Sequence, residues 1–121
     1  MARVLIIDDS PTETRRTSEF LIQAGHQVVS ATNGKDGIDL ARSGQPDLIL
    51  MDVVMPDLNG FQATRQLQRD PTTQHIPIII VSTKNQQTDK IWGLRQGATD
   101  YLIKPVQESA LIQSIETALD G

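Results

Sequence analysis

Four places in the sequence carry groups that can do chemistry, and each follows a short apolar run. Asp8-Asp9 follow Val4-Leu5-Ile6-Ile7, and Asp52 follows Leu48-Ile49-Leu50-Met51. Ser82-Thr83 follow the run from Ile76 to Val81, and Lys104 follows Tyr101-Leu102-Ile103. Apolar runs of this length, bounded by turn formers such as Gln45-Pro46-Asp47 and Pro56-Asp57, read as strands buried on both faces. In an open parallel sheet the carboxyl ends of the strands share one edge, and ligands bind in the crevice there. The acids Asp8, Asp9 and Asp52 in one crevice would raise one another's pKa values unless a cation joins them. The ligands on offer are oxygens, so a hard divalent ion such as Mg²⁺ fits best. Lys104 and Ser82 then read as donors to an anion beside the metal. An anion, a metal and a free carboxylate together predict phosphoryl transfer onto that carboxylate. In this scheme Asp52 attacks a phosphodonor in line, while Mg²⁺, Lys104 and the Ser82 hydroxyl stabilise charge on the equatorial oxygens. Taken singly, each residue has an ordinary explanation as a turn, cap or surface group; their joint arrival at one edge is what carries the reading.

The intervening segments have the patterns of helices that would position those ends. Ser10-Pro11-Thr12-Glu13 offers a cap, a proline for the first helical position and an acid completing a capping box. Phe20, Leu21 and Ala24 give that helix an apolar stripe, and Gly25 is placed to end it. Val28-Val29 form a short strand ending near Ala31. A second helix opens at Asn33-Gly34, turns Ile38 and Ala41 inward, and closes at Gly44-Gln45-Pro46. Asn59-Gly60 starts a third helix through Phe61, Thr64 and Leu67, broken at Asp70-Pro71. A fourth carries Ile91, Leu94 and Ala98 at i, i+3, i+7, predicting an inward stripe. The last helix places Leu111, Ile115, Ala118 and Leu119 on one face. Strand and helix alternate five times with short connections, which predicts a doubly wound α/β domain with a parallel sheet and helices on both faces. The expectation is one domain over residues 1–121, with no output domain.

Composition narrows the function classes. At 38% hydrophobic and 21% charged, the chain is of ordinary globular type, and its net charge of −4 with no basic cluster argues against a nucleic-acid surface. There are no cysteines, so disulfides and thiolate metal sites are excluded. No apolar run approaches the ~18 residues of a membrane span, and none resembles a signal peptide, so a cytoplasmic protein is expected. His26 and His75 lie away from the strand ends and are expected to be surface residues. Gly34 and Gly37 stand at the wrong strand for a phosphate loop and lack its lysine.

Asp8-Asp9-Ser10-Pro11, Asp52 with Met55-Pro56 and Gly60, Ser82, Tyr101 and Lys104-Pro105 together resemble the receiver domain of two-component response regulators across the whole chain. The resemblance implies the flavodoxin-like strand order 2-1-3-4-5. It implies that Asp52 accepts phosphate from a histidine kinase, making this a phosphoacceptor signalling protein rather than an enzyme. Asp9, Asp52 and the backbone carbonyl of Val54 then resemble direct Mg²⁺ ligands, with Asp8 acting through water. Ser82 is similar to the switch hydroxyl, Tyr101 to the aromatic that turns inward with it, and Lys104-Pro105 to a bond that is cis in the family. Val54 and Lys84 occupy positions that bear on phosphate lifetime. The stretches Asn59–Leu67, Lys90–Gly93 and Arg95–Ala98 resemble stand-alone receivers of chemosensory systems governing type IV pili. Output is then expected by contact with an effector protein or by draining phosphate from a shared kinase. Lys90, Trp92, Tyr101 and Ile112 form the candidate partner surface.

Rival readings are an aspartyl-phosphate phosphatase, a phosphorylation-independent interaction module and a flavodoxin. The first usually has a second acid two residues beyond the nucleophile, where this sequence has Val54. The intact set of Asp9, Asp52 and Lys104 argues against the second. The chain has one Trp and one Tyr, too few aromatics to favour stacking on a flavin.

Overall fold

The computed structural model describes residues 1–120. Strands and helices alternate as β1 (Arg3–Ile7), α1 (Pro11–Gln23), β2 (Gln27–Ala31), α2 (Gly34–Gly44) and β3 (Leu48–Met51). They continue as α3 (Gly60–Arg69), β4 (Ile78–Ser82), α4 (Gln87–Arg95), β5 (Asp100–Ile103) and α5 (Glu108–Asp120). The strands form one parallel sheet in the order β2-β1-β3-β4-β5, the expected architecture and order. Successive strand residues face opposite sides. Leu5, Ile7, Ile49, Met51, Ile78 and Ile80 therefore join one core with Ile38 and Ala41 of α2 and Phe61 and Leu67 of α3. Val4, Ile6, Leu48, Leu50, Ile79 and Val81 join the other with Leu21 of α1 and Leu111 and Ile115 of α5.

Register places the site before any side-chain contact does. Ile7 pairs with both Ala31 and Met51, and Met51 with Ile80. The ladders then continue past the strands: Asp8 N–H donates to Ala31 O at 3.0 Å, Asp52 N–H to Ile7 O at 2.9 Å, and Lys104 N–H to Ser82 O at 2.9 Å. Asp8, Asp52 and Lys104 are thereby fixed along the same edge by backbone pairing.

Local signals explain most boundaries. Ser10 Oγ accepts the Glu13 N–H at 3.3 Å, with Pro11 in the first turn. The expected return bond from Glu13 is replaced, because Ser10 N–H donates to Asp8 Oδ1 at 2.9 Å. The cap of α1 is thus built into the acid cluster. Gly25 adopts φ 90° after α1, a region glycine enters without steric cost. Asn59 and Gln62 form a complete capping box at α3. β4 starts two residues later than the apolar run, at Ile78, since Pro77 has no N–H for the ladder. Ala24 and Leu119 face solvent rather than the core.

The fourth helix departs most from expectation. Its inward stripe does not form: α4 ends at Arg95, and Ile91 and Leu94 are 46% and 41% exposed. The buried residue of α4 is Gly93, where a Cβ would lie 2.9 Å from both the Ile80 and Tyr101 side chains. The helix meets the sheet through a bare backbone, so the larger residues on either side of Gly93 are turned outward. Ala98 is buried, but it belongs to the turn after α4, where its N–H donates to Gly93 O at 3.3 Å.

Candidate functional site

The strand ends bring Asp8, Asp9, Asp52 and Lys104 into one cluster. One carboxylate oxygen from each of the three acids lies within 4.8 Å of the others. Asp8 is buried and fully engaged: Oδ1 accepts Ser10 N–H, and Oδ2 accepts Lys104 Nζ at 2.8 Å. Asp52 is buried too, with Oδ1 accepting Val53 N–H at 2.9 Å and standing 3.5 Å from Lys104 Nζ. Asp9 is exposed, presenting its carboxylate from the solvent side. One ammonium thus faces two of the three carboxylates, those of Asp8 and Asp52. Burial and the neighbouring Asp8 charge push the Asp52 carboxyl from 3.8 up to about 6, although Lys104 and Val53 N–H pull it down. Burial alone would lower Lys104, but its bond to Asp8 and the charges of Asp52 and Asp8 outweigh that and raise it.

Asp52 is aimed by the turn that follows β3. Gly60 N–H donates to Val53 O at 2.9 Å, and a Cβ on Gly60 would collide with the Asp52 backbone carbonyl. Glycine is required there by this close approach, which folds the turn back beneath the acid. The Val54 side chain is exposed beside Asp52, while Val53 and Met55 are buried. The turn therefore anchors itself on either side of Val54. Beneath the acids a cavity bordered by Thr17, Leu50, Lys104 and Val106 encloses about 10 Å³. That is room for about one water and far below the several hundred Å³ of a small-molecule site.

Ser82 and Tyr101 meet at one residue rather than at the acids. The fully buried Ser82 Oγ accepts Lys84 N–H at 3.1 Å, and the Tyr101 hydroxyl donates to Lys84 O at 2.8 Å. Both polar groups of the Lys84 backbone are held by these two side chains. The Lys84 ammonium lies 3.9 Å from Asp89 Oδ1, and Asp89 Oδ2 accepts Gln86 N–H at the start of α4. A continuous chain of contacts thus runs from the end of β4 to the first turn of α4. Tyr101 is 4% exposed, so it does not belong to the outer surface on which the sequence reading placed it. Trp92 is 48% exposed and Lys90 is exposed, whereas Ile112 is half-buried against the α1–α5 core. The Lys104-Pro105 peptide is cis.

The family model for the response regulator receiver domain matches residues 4–116. This chain belongs to that family. The receiver is 60% identical to Protein PilH of Pseudomonas aeruginosa over 121 residues, covering 100% of both chains. Its fold matches the Vibrio cholerae chemotaxis protein CheY4 with a TM-score of 0.91 and 30% identity, covering 98% of this chain and 99% of that one. It also matches the receiver domain of a Pseudomonas aeruginosa sensor histidine kinase, solved with a magnesium ion in its active-site cleft. There the TM-score is 0.92 and the identity 27%, covering 99% of this chain and 98% of that one.

Several contacts of this receiver escape a reading of residue types. Gly93 in mid-helix was the available signal for the tight α4 packing, since glycine inside a helix costs stability unless something needs its bareness. Ser114 is buried and donates to Asp100 Oδ2 at 2.6 Å, joining α5 to β5. His26 is half-buried and accepts Ala2 N–H on Nδ1 at 3.1 Å, so it ties the start of β1 instead of standing free. No sequence spacing announces either pair.

Proposed function

We propose that Asp52 accepts a phosphoryl group from a histidine kinase, and that the resulting charge is read through Ser82, Tyr101 and the residues they hold. The observation that carries this reading is the cluster itself: three carboxylates gathered at one edge, two of them on the Lys104 ammonium, with Asp52 raised to about 6. Such an edge repels itself unless a cation enters, and its oxygen-only donor set suits Mg²⁺. Asp9, Asp52 and the Val54 carbonyl are the groups that would hold the ion, with Asp8 acting through water. When bound, Mg²⁺ supplies positive charge to the transferring phosphoryl oxygens.

The remaining steps belong to the chain. A carboxylate oxygen of Asp52 forms a bond to phosphorus as the phosphorus–nitrogen bond to the kinase histidine breaks, leaving the electron pair on the imidazole. Lys104 Nζ, already within 3.5 Å of Asp52, meets the charge on the phosphoryl oxygens. The Ser82 hydroxyl, on turning to the phosphoryl group, leaves the Lys84 N–H without its acceptor. Val54 in place of a second acid weighs against the phosphatase reading.

The proposal extends to a single-domain, cytoplasmic response regulator that signals by protein contact or drains phosphate from a shared kinase. Full-length similarity to PilH supports a role in chemosensory control of type IV pili. The test is intact mass after incubation with acetyl phosphate and Mg²⁺. One phosphoryl adduct on wild type and none on Asp52→Asn is expected. An adduct on both proteins moves the acceptor elsewhere, and none on either leaves the phosphorylation-independent module as the reading.

A further inference from the structure

Lys104 stands at the start of a turn with few anchors of its own. Its N–H is held by Ser82 O, and order resumes at α5, where Leu111 N–H donates to Gln107 O at 3.0 Å. Between these points Pro105 has no N–H to offer. The Val106 carbonyl finds its partner outside the turn: Arg16 Nη2 on α1 donates to it at 2.8 Å, joining residues 90 apart in sequence. The Arg16 guanidinium also lies 4.9 Å from the centre of the Phe20 ring, a cation–π contact that holds its plane in place.

The other terminal nitrogen, Nη1, is buried without a hydrogen-bond partner among the described residues. A buried unpaired donor is unfavourable, so packing alone would favour an apolar side chain of similar length. What arginine adds at this position is the bond to Val106, two residues beyond Lys104. Val106 is itself buried in the α1–α5 core, so the bond closes a brace between α1 and the turn.

We propose that Arg16 is a positioning residue for Lys104. By holding the Val106 carbonyl it fixes the turn after β5, and the Lys104 ammonium stays 2.8 Å from Asp8 and 3.5 Å from Asp52. Arg16 touches no reacting atom. The consequence for phosphoryl transfer rests on the phosphoacceptor reading above; the positioning itself does not.

The experiment separates the two. The ¹⁵Nζ resonance of Lys104, assigned by its loss in Lys104→Gln, is recorded in wild type, Arg16→Met and Arg16→Lys without any phosphodonor. The methionine variant removes the donor and is expected to shift or broaden the signal, and the lysine variant to preserve it. Arg16→Leu replaces Arg16→Met if the latter does not fold. An unchanged Lys104 signal in the donor-less variant overturns the proposal. In acetyl phosphate with Mg²⁺, Arg16→Met is expected to be roughly three- to tenfold slower, as for a misplaced catalytic group. In a Lys104→Gln background the same change is expected to have no further effect. Equal slowing in both backgrounds would show that Arg16 acts on the fold at large and not through Lys104. If wild type forms no adduct, the phosphoacceptor reading fails while the ammonium signal still decides the positioning claim.

Discussion

Around Asp8 and Asp52, backbone pairing, a glycine contact, a cap and an ion pair converge on two neighbouring carboxylates. Around α4, a helix of nine residues touches the sheet through Gly93 and leaves Ile91, Trp92 and Leu94 in solvent. The first region is over-determined and electrostatically strained. The second is lightly held, with its first turn tied to Lys84 and so to Ser82 and Tyr101. The contrast suits a device in which a charge placed at a rigid edge shifts an element with little packing to lose.

The sharpest way to break the contrast is to add one methyl group in each region. Gly60→Ala drives a Cβ into the Asp52 backbone, which cannot yield locally, and is expected to cost about 3–5 kcal/mol by chemical denaturation. Gly93→Ala meets the side chains of Ile80 and Tyr101, which can shift, and is expected to cost about 1–3 kcal/mol. Equal losses would show that α4 is held as rigidly as the acid edge.

The next largest effect has the opposite sign. A carboxyl carried from 3.8 to about 6 represents of order 3 kcal/mol of lost hydration and repulsion at neutral pH. Because the folded value lies above the unfolded one, the native state holds the proton more tightly between them. Stability of the metal-free protein is therefore fully present below about pH 4 and falls as pH rises toward and past about 6. Asp52→Asn should stabilise the metal-free protein at pH 7 by roughly 1–3 kcal/mol and lose that advantage near pH 4. Thermal melts across pH check this, and Mg²⁺ should narrow the gap by stabilising wild type more. A variant no more stable than wild type at pH 7 would mean that the edge is not strained.

Smaller changes sharpen the α4 side. Tyr101→Phe removes the hydroxyl that holds Lys84 O and should cost about 1 kcal/mol, with faster amide exchange in the first turn of α4. Trp92→Ala should alter stability by less than about 0.5 kcal/mol, since a side chain 48% exposed on a lightly packed helix loses little. A larger loss at Trp92 would reveal packing on its own neighbours and remove it as a candidate partner anchor.

The acid edge was legible in the sequence because both of its signals are local. Short branched apolar runs mark strands, and a carboxylate directly after such a run has to sit at the strand end. Parallel pairing then brings Asp8 and Asp52 side by side whatever the loops do. The α4 side was not legible for the complementary reason. Ile91, Leu94 and Ala98 have helical spacing, but spacing records residue type and not the distance between helix and sheet. Gly93 sets that distance by contact with Ile80 and Tyr101, which stand on β4 and β5 and not on the helix itself. Tyr101 was misplaced on the surface by the same omission. The grip of Ser82 and Tyr101 on Lys84 depends on how a loop is folded, and no residue pattern encodes it.

In the proposed mechanism the charge at Asp52 is read at Lys84. Amide exchange at Lys84, measured with Mg²⁺ and with or without beryllofluoride as a phosphoryl mimic, tests it most directly. Faster exchange at Lys84 and altered protection in the first turn of α4 are expected when the mimic binds, with β1 and β3 unchanged. Binding of the mimic with no change at Lys84, or with a change spread evenly over the sheet, would contradict it.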